Sequence, residues 1–415
     1  MCSDICSTDT GSKGGMKLPS IFGLFCTKGG PPAGGVKDAG TTKGQMDSRR
    51  KNGHSAETPV DGRQLGEGDV QWWEPTQGQC TPLSNKNVEQ AMHEVSSSVR
   101  PFDNRRFKMQ KTLQDAIRNH GRVDLMQDGN SLEGHMVAVK RMPTRWVKQG
   151  PKEFNVQYPT ASERPWYDMG LVRSLGNMGC PFVTDLIGVF RDAEETFVVM
   201  GLCTEGDLFG WCDREPAPGR AREALMPPIT HQMFTAVRWL HELGIAHRDL
   251  SLENILLTTT PTGELQLKLI DFGMATLTRH VTQEVRGKQS YQAPEMHEEA
   301  EFDCFLADEF AIGVVLFAMA AQDYPWTGTA KGSCQLFEYV SMFGLKRFLE
   351  KRKLRKGSGE HLIDVFTPQL TQMLEGLLEV QPRNRATFGE TTFRGQDGHR
   401  SVWDMPWTKT FITAK

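Results

Sequence analysis

His247-Arg248-Asp249-Leu250-Ser251-Leu252-Glu253-Asn254 sets an imidazole, a guanidinium, two carboxylates and a carboxamide at fixed offsets on one short stretch, and Asp271-Phe272-Gly273 follows seventeen residues after Asn254. Upstream, Met136-Val137-Ala138-Val139-Lys140 is a short β-type run that ends in a lysine, a residue costly to bury without an anionic partner. Thr196-Phe197-Val198-Val199-Met200 is a second β-type run, preceded by Asp-containing turn residues. From Ile229 the period changes. Ile229, Met233, Val237 and Leu240 recur at three- and four-residue steps, and Gly244 stands where a helix would stop. Strands first and helices after predict an α+β chain with two segregated lobes.

The bulk properties exclude several classes. The chain has 415 residues and a formal net charge of −3, too balanced to imply a nucleic-acid or membrane partner. Hydrophobic residues make up 38% and charged residues 24%, as in a soluble globular protein. The apolar run from Ala311 to Ala321 is too short to span a bilayer and reads as a buried helix. Cysteines at 2, 6, 26, 80, 180, 203, 212, 304 and 334 form no C-x-x-C pair. They are expected as free thiols in a reducing compartment, the cytoplasm or the nucleus. The N-terminus has no signal-peptide pattern, and Met1-Cys2 lacks the glycine that myristoylation needs; Cys2 and Cys6 are weak palmitoylation candidates.

Residues 1–104 are rich in Gly, Ser, Thr, Lys and Pro without a sustained period, and are expected to form a disordered tail. Two apolar islands interrupt it, Ile21-Phe22-Gly23-Leu24-Phe25 and Trp72-Trp73, which either dock or make only transient contacts. The folded part is expected over 105–405, with a first lobe at about 105–200, a second at about 204–405, and a short C-terminal tail at 406–415.

The histidine-to-asparagine stretch and the Asp-Phe-Gly triplet resemble the catalytic and metal-binding loops of eukaryotic protein kinases. Other markers agree. Gln292-Ala293-Pro294-Glu295 resembles the A-P-E end of an activation segment, Asp308-Glu309-Phe310-Ala311-Ile312-Gly313 resembles the D-x-W-x-x-G helix start with Phe for Trp, and Arg385 fits the arginine that pairs with Glu295. The likeness covers about residues 108–405. It implies the two-lobed kinase fold, a small mainly β N-lobe and a larger mainly α C-lobe, and transfer of the ATP γ-phosphate to a protein hydroxyl. Lys140 would meet the α/β-phosphates, Asp249 would accept the substrate hydroxyl proton, and Asn254 and Asp271, short oxygen-bearing side chains, would hold Mg²⁺. Gly121, Val123, Ala138, Met200, Leu202, Asp207 and Leu256 complete the expected nucleotide site. The acid that pairs with Lys140 is read as Asp168, on a helix whose inward residues are Leu171, Val172 and Leu175. Glu163 is the alternative, set apart by the helix-breaking Pro165.

Three departures qualify the likeness. Counting back from Val123, the glycine-loop slots read Ala116, Arg118 and Gly121, so one glycine of three remains, and Arg118 could itself contact phosphate. Asp168 stands where the family has glutamate. Ser251 occupies the slot of the catalytic-loop lysine, while Lys288 occupies the threonine slot of the segment Gly287-Lys288-Gln289-Ser290-Tyr291-Gln292-Ala293-Pro294-Glu295. In the family fold these two slots face each other, which points to an exchange: Lys288 reaching Asp249 and the γ-phosphate, Ser251 supplying the hydroxyl. The alternative is a Lys288 directed to solvent.

Asp207 and Glu253 resemble the groove acids of kinases that prefer arginine upstream of the target, which implies a basophilic Ser/Thr kinase. Arg248 precedes Asp249 and would bind activation-segment phosphate on Thr276, Thr278, Thr282 or Ser290, or Glu284 in its place. Lys346 to Lys356 carries seven basic residues and one acid and reads as a solvated helix face, with docking of an acidic partner or a nuclear signal as the alternative. A monomer is expected. The competing reading of the whole is a pseudokinase scaffold with weakened ATP binding.

Overall fold

The computed structural model describes residues 81–130, 135–355, 359–396 and 398–413. The apolar islands at 21–25 and 72–73, Cys2 and Cys6, and Lys356 lie outside them. The first half of the fold comprises helix α1 (Asn85–Ser97), strands β1 (Arg100–Pro101), β2 (Phe107–Ala116), β3 (Gly121–Asp128) and β4 (Met136–Pro143), helices α2 (Thr144–Val147), α3 (Pro151–Gln157) and α4 (Pro165–Asn177), and strands β5 (Leu186–Arg191) and β6 (Glu195–Gly201). These strands form one sheet in the order β1-β5-β6-β4-β3-β2, antiparallel except for the β1–β5 pair.

Strand alternation positions the site. Val137 and Val139 of β4 pack with Phe107, Met126, Phe190, Phe197 and Val199 in a small core on one face of the sheet. The two-residue period therefore sends Ala138 and Lys140 to the opposite face. Register sets Val123 against Lys140 and Ala138 against Met200. Gly121 opens β3 so close to β4 that an added Cβ would lie 1.7 Å from the Arg141 carbonyl oxygen, which explains why a glycine is retained there.

The second half is mainly helical: β7 (Gly206–Asp207), α5 (Leu208–Cys212), α6 (Arg220–Glu223), α7 (Pro227–Glu242), β8 (Ile255–Thr259), β9 (Leu265–Leu269), β10 (His280–Thr282), α8 (Glu295–Glu298), β11 (Glu301–Asp303), α9 (Cys304–Ala321), α10 (Gln335–Phe343), α11 (Leu345–Lys351), α12 (Leu362–Val365), α13 (Pro368–Leu377) and α14 (Pro406–Thr413). Ile229, Met233, Val237 and Leu240 of α7 are all buried, and Gly244 ends the turn after it at φ 79°. Helix α9 is buried along its whole length, which accounts for its membrane-like hydropathy by a core position. Glu295 and Arg385 form a fully buried pair, Arg385 Nη2 donating to Glu295 Oε2 at 2.9 Å. The fold is thus the expected α+β, two-lobed arrangement of a sheet lobe and a helical lobe.

Two boundaries differ from the sequence expectation. Residues 81–104 are not tail: α1 buries Val88, Ala91 and Val95 and packs on α4. Its entry is tied to the helical lobe, where Leu83 N donates to Leu243 O at 2.8 Å, and its exit runs into β1 beside β5. The moderate polarity of the segment hid a narrow apolar stripe. Residues 406–413 likewise form a helix, anchored by buried Trp407, whose Nε1 donates to Glu223 at 2.9 Å. On α11, Leu345, Phe348 and Leu349 face inward, while Arg352 and Arg355 beyond it pair with Asp323 at 2.9 and 3.4 Å.

Candidate active site

Lys140 is 8% exposed and lies 3.1 Å from Asp271 Oδ1 and 3.5 Å from Asp168 Oδ2. Burial alone would lower its pKa, but Asp271, Asp168 and Glu163 outweigh it and hold the ammonium above its ordinary value. Burial also pushes the Asp168 carboxyl up, against Lys140, whereas Asp271 is held below its ordinary value because Lys140 overcomes its burial. The opposite directions agree with the distances: the tight pair is Lys140–Asp271. Asp168 is one methylene shorter than glutamate and completes its contact by accepting a bond from Phe272 N at Oδ1, 2.9 Å away. Helix α4 therefore holds the Asp-Phe-Gly segment by a main-chain bond as well as through Lys140. Pro165 is the first residue of α4, so Asp168 lies within the helix and Glu163 is set apart before it, as the sequence suggests.

Asp249 is 4% exposed. Its Oδ2 accepts from Asn254 Nδ2 at 2.9 Å and from Arg118 Nη1 at 2.8 Å, and its Oδ1 has no hydrogen-bond partner. Burial pushes the carboxyl above its ordinary value, opposed by Arg118 and Lys288. Asn254 also donates to Asp249 O at 2.7 Å, which leaves its amide oxygen as the end able to meet a cation. The backbone here is held in an uncommon shape. Arg248 and Asp271 both sit at φ 66°, in the left-handed region that non-glycine residues seldom occupy. Asp308 fixes the first by accepting from His247 N at 2.6 Å and Arg248 N at 2.8 Å. His247 Nε2 meets Ile270 O at 3.1 Å, tying one loop to the other.

Lys288 Nζ lies 2.7 Å from Ser251 Oγ and 2.9 Å from Glu253 Oε2, with Ser251 fully buried. The lysine is thus directed inward onto the catalytic loop rather than to solvent. Arg248 Nη2 donates to Glu284 O at 2.9 Å and to its Oε2 at 3.0 Å. Val123, Ala138, Met200, Leu202 and Leu256 are half-buried, and Asp207, paired with Leu256 across β7 and β8, caps α5 by accepting from Gly210 N at 2.7 Å.

Two residues do more than their sequence positions announced. Arg118, in the glycine loop, reaches across the cleft to Asp249. Glu163 is not on α4 but just before it, 4% exposed, with its carboxylate over Gly273, where an added Cβ would lie 2.3 Å from Oε2. The available sign for Arg118 was a charged residue in a slot where the loop motif wants glycine; for Glu163, an acid adjoining the helix that carries the Lys140 partner. Magnesium and ATP, implied by the likeness, fit this donor set. Asp271 and Asn254 present oxygens from two loops, and Asp249 keeps a buried unpartnered oxygen beside them.

A family model described as "Protein kinase domain" matches residues 128–394. The chain is 29% identical over 290 residues to serine/threonine-protein kinase SBK1 of Danio rerio, covering 69% of this chain and 67% of that protein. It is 27% identical over 263 residues to CBL-interacting serine/threonine-protein kinase 14 of Arabidopsis thaliana, covering 62% and 51%. It is 26% identical over 229 residues to serine/threonine-protein kinase RAD53 of Saccharomyces cerevisiae, covering 51% and 26%. The chain therefore spans between about a quarter and two thirds of the length of these relatives.

Proposed function

We propose, from the premise that this chain belongs to the protein kinase family, that it is an ATP- and magnesium-dependent serine/threonine kinase whose catalytic lysine is supplied by the activation segment. The observation that carries this reading is the convergence of Lys140, Asp271, Asp249, Asn254 and Lys288 on one cleft. Lys140 holds the α/β-phosphates under the sheet, with Val123, Ala138, Met200, Leu202 and Leu256 around the base. Asn254 and Asp271 are the residues that would hold magnesium, which supplies charge neutralisation of the phosphates. The substrate hydroxyl docks at the free Oδ1 of Asp249. Its oxygen attacks the γ-phosphorus as the bond to the β–γ bridging oxygen breaks, and its proton passes to Asp249. Lys288 offsets charge on the transferred group, and Ser251 orients it with a 2.7 Å hydrogen bond.

Asp207 and Glu253 give the groove an acidic edge, which supports a preference for basic residues upstream of the target. Glu253 is partly neutralised by Lys288, so Asp207 carries more of that preference. A second reading, a scaffold with weak nucleotide binding, draws on Arg118 sitting at Asp249. Thermal shift with ATP and Mg²⁺, followed by phosphate transfer with Asp249→Asn as control, separates them. The enzyme reading expects stabilisation and transfer that the substitution abolishes; binding without transfer, or neither, refutes it.

A further inference from the structure

The strongest uncommitted feature is a third carboxylate in the cleft. Oxygens of Glu163, Asp249 and Asp271 lie within 4.8 Å of one another. Glu163 Oε1 and Asp249 Oδ1 are buried and have no hydrogen-bond partner, and both residues are 4% exposed. Unpaired buried carboxylate oxygens are expensive, so two of them beside a third carboxylate call for a cation. One is present: the Arg118 guanidinium, 2.8 Å from Asp249 Oδ2 and 3.5 Å from Glu163 Oε1, reaching from the opposite lobe. Lys140 serves Asp271 and Asp168 instead. Without Arg118, Glu163, Asp168 and Asp271 would share Lys140, and Asp249 would be left with Lys288.

We propose that Glu163, Asp249 Oδ2 and Asp271 form one divalent-cation site beside Asn254, leaving Asp249 Oδ1 to the substrate hydroxyl, and that Arg118 occupies it in the nucleotide-free protein, so that metal and arginine compete for the same oxygens. All-oxygen donors of this kind suit a hard ion such as Mg²⁺ or Mn²⁺. Glu163 then adds a ligand position that the two loop motifs do not contain. The arginine in the glycine loop becomes a built-in counter-ion that is released when metal arrives with the nucleotide. The proposal rests on the kinase reading of the cleft, but its site is defined by geometry alone.

The test is Mn²⁺ binding to the full chain without nucleotide, read from the free-ion spectrum by electron paramagnetic resonance. Arg118→Gln should bind Mn²⁺ about tenfold more tightly than the unaltered protein, the equivalent of one lost counter-ion contact. Adding Glu163→Gln to it should remove that gain. Arg118→Ala is the second variant and should behave as Arg118→Gln, with unchanged circular dichroism marking both as folded. Equal Mn²⁺ affinity in all folded variants, or a gain that survives Glu163→Gln, overturns the proposal. Phosphate transfer measured in parallel keeps the two readings apart. Transfer without the Mn²⁺ gain refutes only the cation exchange, and the gain without Asp249-dependent transfer refutes only the kinase reading.

Discussion

Replacing Lys288 with alanine isolates the exchange between the catalytic loop and the activation segment. The lysine makes one charge-assisted bond to Ser251 Oγ at 2.7 Å and one ion pair to Glu253 at 2.9 Å, with its side chain 32% exposed. A charge-assisted hydrogen bond is worth roughly 1.5–3 kcal/mol when shielded. The ion pair adds little at this exposure, because solvent and salt screen it. If the bond acts only as charge develops on the transferred phosphoryl, kcat/KM should fall by about one to two decades, mostly in kcat. Substrate binding should change less, since Lys288 reaches the ground-state complex only through Ser251 and Glu253. The assay is steady-state transfer to a peptide, with melting temperature as a control on folding. The informative partner is the double variant Lys288→Thr with Ser251→Lys, which returns the charge to the opposite loop; it should recover most of the loss. A Lys288→Ala enzyme working at the unaltered rate refutes the exchange, and a double variant no better than Lys288→Ala refutes its two-sided form.

Three further outcomes follow from the same geometry. Arg248 is held by Glu284 at 3.0 Å with the glutamate 48% exposed, so Glu284→Gln should reduce the rate by no more than about fivefold; mass spectrometry of active protein should find Thr276, Thr278, Thr282 and Ser290 unmodified, and an enzyme that needs phosphate there contradicts this. His241 is buried between Asp308 (3.3 Å) and Glu390 (2.6 Å), which raise its pKa to about 9 against the lowering effect of burial. A group with its folded pKa above the unfolded value contributes fully below about pH 6.5 and loses that contribution as pH rises to about 9. Glu309, pushed up by burial and by Glu390, acts in the same direction. The urea midpoint should therefore fall between those two values and flatten in His241→Gln, whereas a midpoint independent of pH removes the assignment. A positional peptide library should show arginine or lysine upstream of the target, and Asp207→Ala should blunt that preference; a flat profile excludes it.

The sequence carried the site well because the chemistry sits on short loops whose spacing survives in one dimension. Lys140, Asp249, Asn254 and Asp271 fall in one cleft, and Lys288 lies against Ser251, thirty-seven residues away in sequence. What escaped was set by contacts between distant segments. Helix α1 has a mostly polar composition, and its three buried residues become visible only against α4. The tail at 406–415 reads as polar until Trp407 finds Glu223. Arg118 and Glu163 stand beside motifs in sequence, but their meeting at Asp249 depends on how the two lobes come together. Long-range electrostatics of this kind leaves no period for a sequence reading to detect.

Leu83 adds a mechanical consequence. The sheet lobe meets the helical lobe through the covalent run at Leu202 and Cys203, through main-chain bonds such as Leu269 N to Phe182 O at 2.7 Å and Arg164 N to Gly273 O at 3.2 Å, and through the Leu83–Leu243 bond at the root of α1. A body held along one side can still twist about that side, and a tether at a further point resists the twist. A protein cut at residue 105, where strand-like sequence first appears, would lose the Leu83 tether together with the helix that backs α4. Its lobes would gain freedom to twist, and its turnover would report that looseness rather than the chemistry of the cleft.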